Sequence, residues 1–179
     1  MTAMWTDRNA GRREITASLP RLDRIDIRIL AHLQRNGRAT NVELAEAVGL
    51  SPSSCLVRVR RLEKAGYISC YSAQIALQKI GATLLVFTEV TLSDHRAGDF
   101  VRFETAARQV DEIVECHLVS GGYDYLLKFV AHSIPHYQET IEAMLELDIG
   151  IEKYFSYVVI KTIFAKPFYP IEKRFDPDR

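Results

Sequence analysis

Apolar positions recur along this chain with two different periods. From Leu22 to Leu62 they follow helical spacing, whereas from Thr83 to Ile163 strand-like runs alternate with helical stretches. In the first part, Leu22, Ile25, Ile29 and Leu33 line one face of a helix over Asp23–Asn36, with Leu30 adjacent and Gly37 ending it. Asp23 and Asp26 stand in its first turn, favourable at the positive end of the helix dipole. Thr40 and Glu43 form a capping box that opens a second, two-turn helix. Its Val42, Leu44, Ala45 and Val48 are expected to face inward, and Gly49 breaks it.

The stretch Ser51–Gly66 predicts a third helix. Ser51 supplies an N-cap oxygen, Pro52 fits the first turn where no N–H is needed, and Gly66 offers a left-handed stop. Cys55, Val59 and Leu62 recur at i, i+4, i+7 as one buried stripe. Ser54, Arg58 and Arg61 form another face, with Ser53, Arg60 and Lys64 beside it. Small hydroxyl residues permit close approach to a DNA major groove, and arginines reach guanine edges or phosphates. This reading assigns Ser51, Ser53, Ser54, Arg58, Arg60, Arg61 and Lys64 to duplex DNA. A solvated basic face on an ordinary helix is the rival, and the stretch alone does not separate them. Its neighbours do. A short capped helix, a tight glycine turn and a third helix with a polar N-terminal end make a helix-turn-helix over residues 21–66. The β-rich segment Tyr67–Leu77 predicts a strand or wing within a linker over 67–82.

In residues 83–163, Thr83–Leu92 predicts a buried strand, Asp99–Val110 a helix with Phe100, Phe103 and Ala107 inward, and Glu112–Ser120 a strand. Gly121 and Gly122 make a tight turn, and Tyr123–Ala131 pairs back as a hairpin. Pro135 opens a helix carrying Tyr137, Ile141, Met144 and Leu145, and Glu152–Ile163 is the last strand. The order βαββαβ is that of a ferredoxin-like split βαβ domain, so the chain is α+β, a winged helix-turn-helix joined to a C-terminal βαββαβ domain. A sheet covered on one face leaves the other bare. Tyr123, Tyr125, Leu127 and Phe129 alternate on one side of a strand and are expected to form that bare face, an association surface for a homodimer. A dimer sets two recognition helices on one face of a palindromic operator.

Composition adds a division of charge. Residues 1–66 hold 12 Lys/Arg against 7 Asp/Glu, and the remainder holds 11 against 16, so a net charge of zero conceals +5 and −5. The positive half suits a polyanion. The hydrophobic fraction of 47% and charged fraction of 26% describe an ordinary globular protein. No run approaches the ~18 apolar residues needed to span a bilayer. Cys55, Cys70 and Cys116 lack zinc or CxxC spacing and read as reduced thiols of a cytosolic protein. No cofactor or metal is implied. Residues 1–20 read as a flexible polar leader, with a basic arm along the DNA backbone as the alternative. In the tail, 164–179, Pro167, Pro170 and Pro177 break any regular element; it covers a neighbouring subunit or has no role.

The hairpin turn carries the second candidate chemistry. Ser120, Gly121, Gly122, Tyr123 and Asp124 set backbone N–H groups, a hydroxyl and a carboxylate close together. A free amino acid asks for donors to its carboxylate, an acceptor for its ammonium group and apolar lining such as Leu118. The residues are equally consistent with glycines that only make the turn and an aspartate that caps it.

Both parts are similar to the leucine-responsive/asparagine-C, or feast/famine, transcriptional regulators. The matching residues are 22–26 (LDRID), 41–45 (NVELA), 48–63 (VGLSPSSCLVRVRRLE) and 115–128 (ECHLVSGGYDYLLK). The resemblance implies a nucleoid-associated cytoplasmic regulator whose dimers assemble to octamers. It also implies a small effector, usually an amino acid, bound near Ser120–Asp124, with Tyr157 and Val159 on the last strand influencing the response. Sirohaem decarboxylases share this architecture, and His95, His117, His132 and His136 are the residues an enzyme would use. They lack a base-and-nucleophile spacing, and the basic third helix favours DNA. An architectural DNA-wrapping protein without an effector is the other alternative.

Overall fold

The computed structural model describes residues 20–174. The leader assigned to residues 1–20 thus lies, apart from Pro20, outside the described residues, as does the end of the tail. The chain forms two compact units: one holds the residues up to Gln74 and those from Ala165 on, the other Ile75–Phe164.

In the first unit, α1 (Arg24–Arg35), α2 (Asn41–Val48) and α3 (Pro52–Lys64) start where their caps dictate. Asp23 and Asp26 exchange side chain-to-backbone hydrogen bonds in a capping box, and Thr40 and Glu43 do the same for α2. Gly49 ends α2 at φ 76°, in the left-handed region where a side chain would be strained, and so allows the tight turn into α3. Ile29, Leu44, Ala45, Val48, Cys55 and Leu62 form the core, with Leu22, Ile25, Leu33 and Val59 packed against it. Val42 is not part of it. At 63% exposed it points to solvent, because Leu44, Ala45 and Val48 already fill the inward arc of so short a helix.

A buried carboxylate joins α1 to α3. Asp26 is fully buried, and charge cannot be held there without partners. Arg58 Nη1 donates to Asp26 Oδ1 at 2.9 Å and to Asp23 Oδ2 at 2.6 Å, and Arg61 Nη2 donates to Asp26 Oδ2. Burial of Asp23 raises its pKa. The Arg58 hydrogen bond, the N–H groups of Asp26 and Ile25 and the Arg58 charge outweigh that and hold it below the ordinary carboxylate range.

The segment Tyr67–Leu77 is not a strand. It runs as irregular chain into a 3₁₀ turn, Leu77–Lys79, because no described strand lies alongside to take its backbone hydrogen bonds. It is nonetheless anchored: Tyr67 and Ile68 pack on the first core, and the Tyr71 hydroxyl donates to Glu63 at 2.9 Å. The tail also differs from expectation. It belongs to the first unit, where Gln34 Nε2 donates to the Tyr169 carbonyl at 2.7 Å and Tyr169 N–H donates to Gln34 Oε1 at 3.0 Å. Arg35 lies over the Phe168 ring at 5.4 Å and pairs with Glu172 at 3.3 Å. Beyond Pro170 the chain makes one regular turn, α6 (Ile171–Arg174), which Pro170 can precede without breaking.

The second unit follows the expected order: β1 (Leu84–Leu92), α4 (Ala97–Ala107), β2 (Ile113–Leu118), β3 (Tyr125–Ala131), α5 (Ile134–Glu146) and β4 (Ile151–Val158). They form one antiparallel sheet in the order β2-β3-β1-β4. Phe103 and Ala107 of α4 and Tyr137, Ile141 and Met144 of α5 share one core with Val86, Val90, Leu127 and Phe129, so both helices cover the same face.

Tyr125, Leu127 and Phe129 lie on that covered face, fully buried against the helices, and not on the bare one. Tyr123 precedes the strand. The register gives the bare face to the alternate positions: Leu85, Phe87 and Glu89 on β1, Leu126, Lys128 and Val130 on β3, and Phe155 and Tyr157 on β4. It mixes apolar side chains with charge.

Two outcomes follow from the Asp26 pairing. Asp26→Ala removes the partner of Arg61 and one of the two partners of Arg58, and with both guanidinium groups part-exposed it should cost the helical unit about 1–3 kcal/mol. Hydrogen exchange should show α1–α3 amides losing protection while β1 and β3 amides keep theirs; equal protection in both units would refute the clamp. Because the Asp23 carboxyl is lowered in the fold, its contribution is complete above the ordinary carboxylate range. That contribution is lost as pH falls through the lowered value. Acid titration of the same amides should therefore show the Asp23 contribution intact through the ordinary carboxylate range, about pH 4, and lost only below it.

Candidate DNA-reading helix and effector turn

At the N-terminal end of α3, Ser51 accepts from the Ser54 N–H at 3.3 Å and donates to the Ser54 hydroxyl at 2.9 Å, with the Ser53 hydroxyl 3.2 Å away. All three serines are exposed. The side-chain amide of Asn41 donates to the Pro52 carbonyl at 2.7 Å, tying the start of α2 to the start of α3. A helix start with free N–H groups and hydroxyls suits phosphate oxygens.

The arginines divide. Arg58 and Arg61 turn toward α1 and spend their guanidinium hydrogen bonds on Asp23 and Asp26, although part of Arg61 remains exposed. Cys55 and Leu62 are fully buried, so the opposite side of the helix carries Ser53, Val57, Arg60 and Lys64 at i, i+4, i+7, i+11. All four are exposed, Val57 at 67%, and Leu56 lies beside them. Val57 and Leu56 escaped the sequence reading, which named only Cys55, Val59 and Leu62 among the apolar residues of this helix. Their signal was their phase: neither shares the stripe of Cys55 and Leu62.

In the second unit the loop from β2 to β3 is longer than a tight turn. Val119 N–H donates to the Asp124 carbonyl at 2.9 Å and Asp124 N–H donates to the Val90 carbonyl at 2.9 Å, which closes Val119–Asp124 as a loop against β1. Ser120, Gly121 and Gly122 are exposed, and a Cβ added at either glycine would meet nothing within 4 Å. The Asp124 carboxylate is inward: Oδ2 accepts the Leu92 N–H at 2.8 Å, and His95 Nε2 lies 3.0 Å from Oδ1 and 3.1 Å from Oδ2. Sequence reasoning considered His95 only among the histidines an enzyme would use; twenty-nine residues separate it from Asp124, and only the fold brings them together.

Leu118, 61% exposed, points into a cleft of about 390 Å³ between β2 and α4, which Glu104, Arg108 and Tyr125 also line. The Tyr125 hydroxyl donates to Glu104 at 2.9 Å, and burial first, then that bond, raises the phenol's pKa. Tyr157 is less close to the loop. It sits on β4 opposite Phe87 and donates to Glu89 at 3.2 Å; burial first, then Glu89 and the nearby Tyr123 phenol, raise its pKa. Val159 donates its N–H to the Leu85 carbonyl, at the other end of β1 from Val90. At about 3.3 Å per strand residue it stands ~17 Å along the sheet from Asp124's anchor. Within one chain, Val159 and the loop are not one site.

The four other histidines are scattered. His132 stacks on His136 with ring centroids 4.0 Å apart, His136 pairs with Glu112 at 3.1 Å and His117 with Glu115 at 3.3 Å. His32 lies on α1. Among the described residues no group of three His, Cys, Asp or Glu is placed to hold a metal ion, and no helix is long and apolar enough to cross a membrane.

Comparison with known proteins bears on both units. The profile of winged helix-turn-helix DNA-binding domains matches residues 22–69, and that of the Lrp/AsnC ligand binding domain matches residues 85–167. The transcriptional regulatory protein DoeX of Halomonas elongata is 46% identical over 143 residues, 80% of this chain and 90% of that one. The leucine-responsive regulatory protein of Escherichia coli is 46% identical, over 79% of this chain and 87% of its own length. A transcriptional regulator of Neisseria meningitidis, solved as a complex with L-Met, superposes with a TM-score of 0.80 at 32% identity, covering 87% of this chain and all of that one. These relatives are regulators, which removes the decarboxylase alternative. With a DNA-binding unit and a ligand-binding unit each matched in place, the chain belongs to the Lrp/AsnC family of transcriptional regulators.

Proposed function

We propose that this regulator reads a palindromic operator with one stripe of α3 and adjusts that binding to a free amino acid held at the loop Val119–Asp124. The observation that carries the first half is the division of basic residues on α3. Arg60 and Lys64 stand free of the Asp23–Asp26 pair, in line with Ser53 and Val57. Arg60 reaches a guanine edge, Val57 and Leu56 offer apolar contact to a thymine methyl group, and Lys64, Ser51, Ser53 and Ser54 meet phosphates. Arg58 and Arg61 act one step back, by setting the rotation of the helix.

The second half rests on the exposed, uncrowded glycines Gly121 and Gly122 beside Asp124, and on the relative solved with L-Met. The effector's carboxylate takes their N–H donors, Asp124 takes its ammonium group, and Leu118 and Tyr123 line its side chain. Tyr157 and Val159 contribute from a second copy. The bare sheet face, with Phe87, Leu126, Val130 and Phe155, pairs two copies into a dimer, and dimers assemble further to octamers on the nucleoid in the cytoplasm. A ligand shifts DNA binding only by favouring one assembly over another, a coupling of typically ~1–3 kcal/mol.

Two measurements test these assignments. On a promoter fragment selected by the wild-type protein, Arg60→Ala should weaken binding by about 1–3 kcal/mol, and Lys64→Ala should lower the salt slope by about one. Both variants should melt like wild type, whereas Arg58→Ala should melt lower. Wild-type affinity in both exposed-face variants would take the stripe out of the groove. Asp124→Asn keeps an acceptor for the Leu92 N–H but loses the charge, so calorimetry with L-methionine and L-leucine should show binding abolished in a folded protein. Undiminished heat would remove Asp124 from the site.

A further inference from the structure

An ammonium group seeking Asp124 finds its place already taken. The carboxylate has an inner oxygen lone pair on the Leu92 N–H at 2.8 Å and an outer edge that could receive a cation across both oxygens. His95 Nε2 sits on that edge, at 3.0 Å from Oδ1 and 3.1 Å from Oδ2. Near-equal distances place it close to the bisector of the carboxylate, where an ammonium nitrogen would contact both oxygens. Only 18% of the Asp124 side chain is exposed, whereas 55% of the covering His95 side chain is. The cover is therefore the outer, displaceable member of the pair. His95 lies in the loop between β1 and α4, and its other ring contact is a tilted one with Phe100 at 6.0 Å between centroids. The Asp124 contact holds the imidazole in place.

We propose that His95 is an internal competitor for the effector's ammonium group, so that an amino acid binds at Asp124 by displacing the imidazole. This inference rests on the reading of Val119–Asp124 as the effector site and names what sets its affinity. Displacement subtracts the His95–Asp124 contact equally from every ligand that carries an ammonium group. An effector then succeeds through contacts elsewhere, chiefly carboxylate to the loop N–H groups and side chain to apolar lining. His95 thus sets the threshold concentration for response and strengthens dependence on the ligand's side chain. A ligand without an ammonium group has no reason to move His95 and gains nothing from its removal.

Calorimetry on the full chain with L-leucine and with isocaproate, the same acid without its amino group, tests the proposal. Removing the competitor in His95→Ala should tighten L-leucine binding roughly three- to tenfold, the range expected of a half-exposed charge-assisted hydrogen bond. Isocaproate binding should not change. His95→Gln retains a neutral donor on the carboxylate and should fall between wild type and His95→Ala. Unchanged or weaker L-leucine binding in His95→Ala overturns the proposal, provided Asp124→Asn abolishes binding; so does equal tightening of isocaproate. If Asp124→Asn binds normally, or no variant including wild type binds L-leucine, the effector-site reading fails and this inference falls with it.

Discussion

Asp26 is the point on which the helical unit turns. A carboxylate with no solvent exposure has to be matched by charge and hydrogen bonds, and both oxygens are matched from one neighbouring helix, by Arg58 and Arg61. Such a pairing adds little net stability, since desolvation consumes most of the attraction. Its consequence is geometric. Two arginines three residues apart, drawn to the same aspartate, leave α3 little freedom to rotate about its axis. The side facing outward is then settled as Ser53, Val57, Arg60 and Lys64. Specificity for DNA is a matter of which side chains reach the groove, so a fixed rotation matters more here than a larger core.

An analogous constraint acts in the sheet, through the period of two. Tyr125, Leu127 and Phe129 each bury against α4 and α5, and Phe103 stacks near Tyr125 with centroids 4.5 Å apart. Burying side chains of this size contributes roughly 1.5–3 kcal/mol each, which sets the register of β3 beyond any slip. Leu126, Lys128 and Val130 are then committed to the opposite face. That face combines apolar side chains with the charges of Glu89, Lys128 and Glu115. Lys128 and Glu115 already pair there across β2 and β3 at 2.6 Å, and Glu115 is held below its ordinary pKa chiefly by that contact.

Much of this was legible in the sequence, and what was missed shares a cause. Caps are local: Thr40 and Ser51 act within three residues of themselves, so the starts of α2 and α3 could be read directly. The βαββαβ order followed from periodicity for the same reason. Errors arose wherever the answer depended on a partner far along the chain. The pairing of Arg58 and Arg61 with Asp23 and Asp26 went unread because those aspartates lie more than thirty positions away. Tyr67–Leu77 has strand composition but no partner strand among the described residues. Tyr125, Leu127 and Phe129 showed the correct alternation, and alternation alone does not say which face the helices will cover. The tail showed three prolines and no sign that Gln34 would exchange two hydrogen bonds with Tyr169.

Asp26 and Asp124 both hold basic side chains, and the two pairings differ in their access to water. Around Asp26 water is excluded, so the attraction of two guanidinium groups is screened weakly and the pairing persists as long as the helices remain packed. Around Asp124 the inner hydrogen bond to Leu92 N–H is a fixed part of the fold, while the outer partner is a half-exposed imidazole in reach of solvent. Screening by water and salt reduces that second attraction to the scale of a small ligand's own contacts. A carboxylate contact becomes exchangeable when its partner can be hydrated as readily as paired, and by that measure the Asp26 pairing is the fixed one and the His95–Asp124 contact the exchangeable one.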